Sequence, residues 1–339
     1  MQGRIEWIDI AKGIGILLVI AGHTISLQYS SPVYAFHMPL FFSMSGLLFN
    51  DKGEGFGRFF ISKARSVLRP WAVMLIISFL ICICIPVWRS EITIQAMMAD
   101  LYTANTNVVQ NSSLWYLVCY FFLLIFFYFI NRIKRTPIFI IVFILIAIAL
   151  LWIREGLNLT SMPFKRLPFK IDSALVALVF FSVAYWFKDK IFVLLSKKIH
   201  WTIIILVIIA AAALSVFNGW ANINSLDFGE VRLLYYPTAF LGIAAVCLVS
   251  RALSNSSWSL VKSVLCFFGE NSLIVFGFQS LLIRLYYLFF NSVQGLSMEL
   301  YGMVPAIHQI GSFFVVSFVL SPLVVYLFKI LRRYKVSVL

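Results

Sequence analysis

IDIAKGIGILLVIAGHTI, residues 8–25, and YAFHMPLFFSMSGLLF, residues 34–49, decide the fold. Each is an apolar run carrying one histidine, His23 near the end of the first and His37 near the start of the second. A hydrocarbon core of roughly 30 Å takes a helix of about 20 apolar residues. The first run meets that length. The second is short and holds Pro39 and Gly46, which predicts a tilted or broken helix lining a cavity rather than one facing lipid. An ionisable side chain inside such a segment is costly and marks function by default. Proton chemistry at membrane depth is therefore expected.

The rest of the chain is of the same kind. Hydrophobic residues make up 62% of the 339 and charged residues only 12%, with a mean hydropathy of +0.97. That composition predicts an all-α, polytopic transmembrane bundle of about ten spans. They are placed near residues 6–27, 33–49, 68–88, 112–130, 137–153, 171–187, 200–217, 232–250, 264–290 and 306–330. The longest polar connections, near 50–67, 89–111 and 154–170, are too short for a soluble domain. Residues 1–339 thus read as one integral membrane domain with no fused soluble domain. Asp9 and Lys12 near the start of the first run, and the lack of a small-residue cleavage site, argue against a cleavable signal peptide.

Most of the 27 lysines and arginines fall in alternate connections, on the side that also holds the N-terminus. Because basic residues are retained inside, both termini are predicted to be cytoplasmic. The net charge of +14 follows from this bias and from contact with anionic membrane lipid. No basic domain exists to hold a nucleic acid. The outer connection with Arg154, Lys165, Arg166 and Lys170 against Glu155 is the exception, suited to attract an anionic acceptor. The five cysteines lie in or beside apolar runs with no metal-ligand spacing, so no metal is expected.

At about 100° per residue, Lys12 and His23 are offset by only ~20° on the helical wheel, and Asp9 lies within ~40° of His23. Asp9, Lys12 and His23 form one polar stripe, and Lys12 and His23 are separated by a rise of about 16 Å. Gly15 and Gly22 leave room for a close helix or a thin ligand. For Asp9 and Lys12, capping and snorkelling at the interface is the competing reading.

RIEWIDIAKGIGILLVIAGH followed by FHMPLFFSMSG resembles the start of the acyltransferase 3 family, most of all its fucose 4-O-acetylase-like branch. The basic residue, ten positions, then histidine from Lys12 to His23 matches that family's first-helix motif. The resemblance continues in KARSVLRPW at 63–71, LWYLVCYFF at 114–122, LPFKIDSALVALVFF at 167–181 and FGENSLIVFGFQSLL at 268–282. It implies a multi-pass enzyme of the bacterial cytoplasmic (inner) membrane. Such an enzyme moves an acetyl group from cytoplasmic acetyl-CoA to a hydroxyl of a surface glycan or lipid-linked sugar. Two departures stand out. Gln279 occupies a position where many relatives have histidine, and Lys63, Arg65 and Arg69 match the family's paired-arginine signature only loosely.

A sugar hydroxyl is a poor nucleophile and needs a base, a task that suits histidine. His23 is assigned as that base, or as the acyl carrier. His37 is assigned to share the proton or bind the acceptor, and Asp9 to polarise the stripe. Lys12, Lys63, Arg65 and Arg69 are assigned to the charged donor. Ser45, Asp172, Glu270 and Asn271 are candidates for the acceptor. Helix packing is the bland alternative for Ser45, and capping for the other three. Arg284, inside the ninth span, requires a partner that the sequence does not name. A homo-oligomer is compatible with the chain. A secondary transporter, the competing class, would normally show pseudo-symmetry between halves, and none is visible.

Overall fold

A computed structural model describes residues 5–294 and 306–333. The first helices are α1 (Glu6–Thr24), α2 (Leu27–Tyr34) and α3 (His37–Leu48). Next, α4 (Phe56–Lys63) runs through a π-helical turn at Ala64–Leu68 into α5 (Arg69–Cys84). Then come α6 (Pro86–Arg89), α7 (Ile94–Thr103), α8 (Trp115–Ile130), α9 (Pro137–Ala149), α10 (Ile153–Gly156), α11 (Ile171–Trp186), α12 (Lys188–Ser196) and α13 (Trp201–Asn218). A small antiparallel hairpin, β1 (Ala221–Asn222) with β2 (Asp227–Phe228), interrupts the helices. The chain closes with α14 (Tyr235–Ser254), α15 (Ser259–Glu270), α16 (Ser272–Gln294), α17 (Ala306–Val315) and α18 (Ser321–Arg333).

Among the described residues, nine helical stretches are long and apolar enough to cross a membrane. They correspond to nine of the ten expected spans. The remaining one, expected at 33–49, is α3, only 12 residues long. The break that shortens it falls at Ala35–Phe36, before His37; Pro39 sits in the first turn of α3, where its missing N–H costs no helical bond.

Two boundaries differ from expectation. Residues 56–67, read as part of a polar connection, are helical and extend α5 backward. The segment is amphipathic, burying Phe59 and Val67 and exposing Arg58 and Arg65. Average hydropathy hides such a face. The ninth span, expected at 264–290, is two helices that meet at Asn271. Glu270 therefore ends α15 instead of opening a span.

The contact between α1 and α15 is the most extensive between helices, followed by that of α3 with α11. The first is backbone against backbone. A Cβ on Gly13 would strike the Leu265 carbonyl, and one on Gly269 would strike the Asp9 carbonyl. Small residues that let helix backbones touch are how bundles cohere where lipid removes the hydrophobic drive. α9 and α13 lie outside, with most of their isoleucines and leucines exposed. Lys329 of α18 sits over the Phe267 ring of α15, which brings the chain's last helix back beside the start of α1. That side is called the near face below, and the side reached by His23 the far face.

Candidate active site

At the near face α1, α3, α4, α8 and α16 enclose a cavity of about 530 Å³, within the size range of small-ligand sites. Lys12 and Lys63 both line it. Lys12 Nζ is 3.4 Å from Asp9 Oδ1, one helical turn back. Lys63 Nζ lies 5.2 and 5.3 Å from the Phe49 and Phe59 ring centroids. The π-helical turn that starts just after Lys63 brings Ser66 to the same wall; such turns recur at functional sites. Ser45 also lines the cavity together with Tyr116 and Tyr120, whose rings stack at 5.9 Å. Phe41 and Phe276 complete an apolar wall. Two ammonium groups beside an aromatic interior suit a ligand with an anionic end and a slender neutral arm.

The cavity lining does not include His23 or His37. Between the Lys12 and His23 levels, Gly15 faces Leu40 and Phe41 of α3. The two histidines are gathered at the far face around one tyrosine. The Tyr34 ring centroid lies 5.9 Å from that of His23 and stands edge-on to that of His37 at 4.9 Å. Gly22 makes this fit, since a Cβ there would already be 3.3 Å from the ring. Both imidazoles are fixed alike: Nδ1 of His23 is 2.7 Å from the Val19 carbonyl, and Nδ1 of His37 is 2.9 Å from the Val33 carbonyl. A carbonyl only accepts, so Nδ1 holds the proton in each ring. In the neutral ring Nε2 is then the basic nitrogen.

The sequence stripe therefore divides. Asp9 is buried against α15 and pairs with Lys12, a full helix away from His23, so it does not orient the imidazole. Arg65 and Arg69 are exposed and lie outside the cavity lining. Glu270 and Asn271 belong to the near face beside the start of α1, with Asn271 Nδ2 donating to the Phe267 carbonyl at 2.7 Å. That puts them at the end opposite the histidines.

Asp172 is completely buried. Its Oδ1 accepts from Arg166 at 2.9 Å and from the Ser173 N–H at 2.7 Å, and its Oδ2 accepts from Arg166 Nε and the Leu167 N–H, both at 3.2 Å. No exposed carboxylate is left for an acceptor. The basic cluster of residues 154–170 is reduced accordingly. Arg166 is consumed by this pair, Lys170 is buried and donates to Asn224 Oδ1 at 2.7 Å, and Glu155 faces Arg232 at 2.7 Å. Arg284 finds its partner in Gln110, whose Oε1 accepts from the guanidinium while its Nε2 donates to Glu91 at 2.6 Å.

Sequence reading passed over Tyr34, Tyr116, Tyr120 and Trp220. Tyr34 and His37 are three residues apart, a spacing that offered a signal. Trp220 offered none, because it reaches Tyr34, at a centroid distance of 4.4 Å, from the far side of the chain. No curated protein and no solved structure matches the chain. The family described as an acyltransferase domain, acyltransferase 3, matches residues 5–326. With nine candidate spans and that match over nearly its whole length, the chain belongs to the acyltransferase 3 family of multi-pass membrane acyltransferases.

Proposed function

We propose that the chain is a membrane O-acetyltransferase of the fucose 4-O-acetylase-like kind, resident in the bacterial cytoplasmic membrane with both termini inside. It takes acetyl from cytoplasmic acetyl-CoA and delivers it to a hydroxyl of a surface glycan or lipid-linked sugar. The observation that carries this reading is the two-ended site. Lys12 and Lys63 line a cavity at the near face, while His23 presents a basic Nε2 about 16 Å further along the same helix. A donor with a phosphorylated head and a long neutral arm suits that separation. Its charge stays with the two lysines and its thioester is carried inward.

In the proposed reaction, His23 Nε2 takes the proton of the acceptor hydroxyl as its oxygen attacks the thioester carbonyl. The C–O bond forms, the C–S bond breaks, and the imidazolium returns the proton to the leaving thiolate. The same lone pair serves if His23 carries the acyl group between donor and acceptor. His37 holds the acceptor or shares the proton, Asp9 holds Lys12 at the donor mouth, and Ser45 with its two tyrosines contacts the donor arm.

The test is transfer of labelled acetyl from acetyl-CoA by proteoliposomes of the wild type and His23→Ala, with a mixed bacterial surface-glycan extract as acceptor. Label in glycan with the wild type alone supports the reading. Equal transfer by both sinks the role of His23. Absence of transfer, of CoA release and of acetyl-CoA binding together sinks the donor.

A further inference from the structure

We propose that Trp220 is the acceptor-positioning and specificity-determining residue, an aromatic platform on which the apolar C–H face of a neutral sugar ring stacks beside the two histidines. This rests on the O-acyl transfer reading and names the acceptor class for it.

Trp220 lies between the end of α13 and β1, on the far face, and is half-buried. Its ring is 4.4 Å from that of Tyr34, and Tyr34 touches both imidazoles. One ring thus separates a partly accessible indole from each basic Nε2. The acceptor hydroxyl must come within hydrogen-bond reach of such a nitrogen, and a group that fixes the rest of the sugar supplies the orientation.

The hairpin carrying Trp220 is held far more firmly than its size requires. A two-stranded hairpin with two residues per strand has no stability of its own. Here the Arg166 guanidinium donates to the Asn224 carbonyl and buried Lys170 donates to the Asn224 side chain at 2.7 Å. Ser173 Oγ donates to the Ile223 carbonyl at 2.9 Å. At the base of the hairpin, Asn218 Nδ2 donates to the Phe228 carbonyl at 3.0 Å while its Oδ1 accepts from the Val231 N–H at 2.9 Å. Five bonds pin a short loop whose one large half-exposed side chain faces the histidine cluster. Rigid support of this kind is what a recognition group needs to hold a ligand without an ordering cost.

The surroundings also select by charge. Arg166 and Lys170, which bond to this hairpin, and Arg232, which follows it, are all engaged within the protein, so none of the three offers a free cation to an anionic sugar. An aromatic ring against a carbohydrate favours the uncharged, partly apolar face of a neutral or deoxy hexose.

The experiment measures acetyl-CoA-dependent CoA release by full-length protein in detergent, with methyl glycosides of neutral and 6-deoxy hexopyranoses and of the matching uronic acids as probes. For Trp220→Ala the KM for the neutral glycosides rises about tenfold, with the acetyl-CoA KM unchanged. Trp220→Phe recovers most of the loss, and the wild type prefers neutral to uronic probes. An unchanged acceptor KM in Trp220→Ala overturns the proposal, as does a parallel rise in the donor KM or a Trp220→Phe as impaired as the alanine variant. If Trp220→Ala does not fold, Trp220→Phe and Trp220→Leu decide it: equal acceptor KM in the two overturns it. Wild-type release that no glycoside stimulates overturns the O-acyl transfer reading itself, whereas stimulated release that ignores residue 220 overturns only the platform.

Discussion

Tyr34 donates its hydroxyl to the carbonyl of Gly22, one residue before His23, at 2.9 Å. Tyr34 lies three residues before His37, so this one bond ties the two histidine-bearing segments together across the break between α2 and α3. Its ring, not only its hydroxyl, fills the space between the imidazoles. Tyr34→Phe should lower stability by about 0.6 kcal/mol, the average for a hydrogen bond inside a membrane bundle, and leave transfer within a few-fold of wild type. Tyr34→Ala should cost at least tenfold in rate, because both rings lose their common wall. Thermal unfolding in detergent and initial rates check the two halves separately; equal rates in the phenylalanine and alanine variants would refute the packing role.

His23→Gln keeps the size and polarity of the side chain and removes the base. Under the proposed mechanism it lowers the transfer rate by roughly 10²–10⁴-fold while the protein unfolds at the wild-type temperature. Gln279→Ala should do the opposite. Gln279 is completely buried and donates to Ser113 Oγ at 2.6 Å, so its loss reads as about 1 kcal/mol of stability with a mild effect on rate. A Gln279→Ala as inactive as His23→Gln would move the chemistry to α16.

For the donor, Lys12→Met and Lys63→Met should each raise the acetyl-CoA KM severalfold and leave the acceptor KM alone. The effect should shrink as ionic strength rises, since a partly solvated ammonium–phosphate attraction is screened. Arg65→Gln and Arg69→Gln, outside the cavity lining, should change the donor KM less than either lysine variant. Kinetics at two salt concentrations rank the four.

What the sequence made legible follows from its physics. Long apolar runs announce spans because a bilayer demands length and hydrophobicity, and Asp9 with Lys12 announces a shared polar face because i and i+3 are neighbours on a helix. The gathering of His23 and His37 was readable from the short connection between their two runs, but the helix α2 that fills this connection was not. The helical stretch 56–67 was not, because its apolar and charged faces cancel in any average. The joint at Asn271 coincides with the polar step Glu270–Asn271–Ser272, which reads equally as the cap of one continuous span. Nothing local marks Trp220 or the Arg166–Asn224 contact, because both depend on how distant helices are packed.

The Gly13–Leu265 and Gly269–Asp9 approaches predict that bulk on either helix separates α1 from α15. Gly269→Leu should destabilise strongly, since backbone atoms cannot move aside as a flexible side chain can. It should also weaken donor use, because Lys12 and Asp9 sit on the turns of α1 that would be displaced. Gly57→Leu, at a position open to the surroundings, is the control and should behave as wild type. Detergent unfolding of the two variants gives the comparison.

Asp172 separates an acceptor-binding carboxylate from a structural one. Removing one member of a buried pair leaves the other charge uncompensated, at a cost of about 3–5 kcal/mol. Asp172→Asn should therefore lower the unfolding temperature before it alters any kinetic constant. Arg166→Met with Asp172→Leu, which removes both charges, should recover much of that stability. The double variant still lacks the Arg166 bond to the Asn224 carbonyl, so the hairpin loosens and the acceptor KM rises while the donor KM stays put. A direct acceptor ligand would behave the other way, with Asp172→Asn stable and selectively weak for the acceptor. Measuring unfolding and both KM values on the single and double variants distinguishes the two roles, and the saturated, buried geometry of Asp172 favours the structural one.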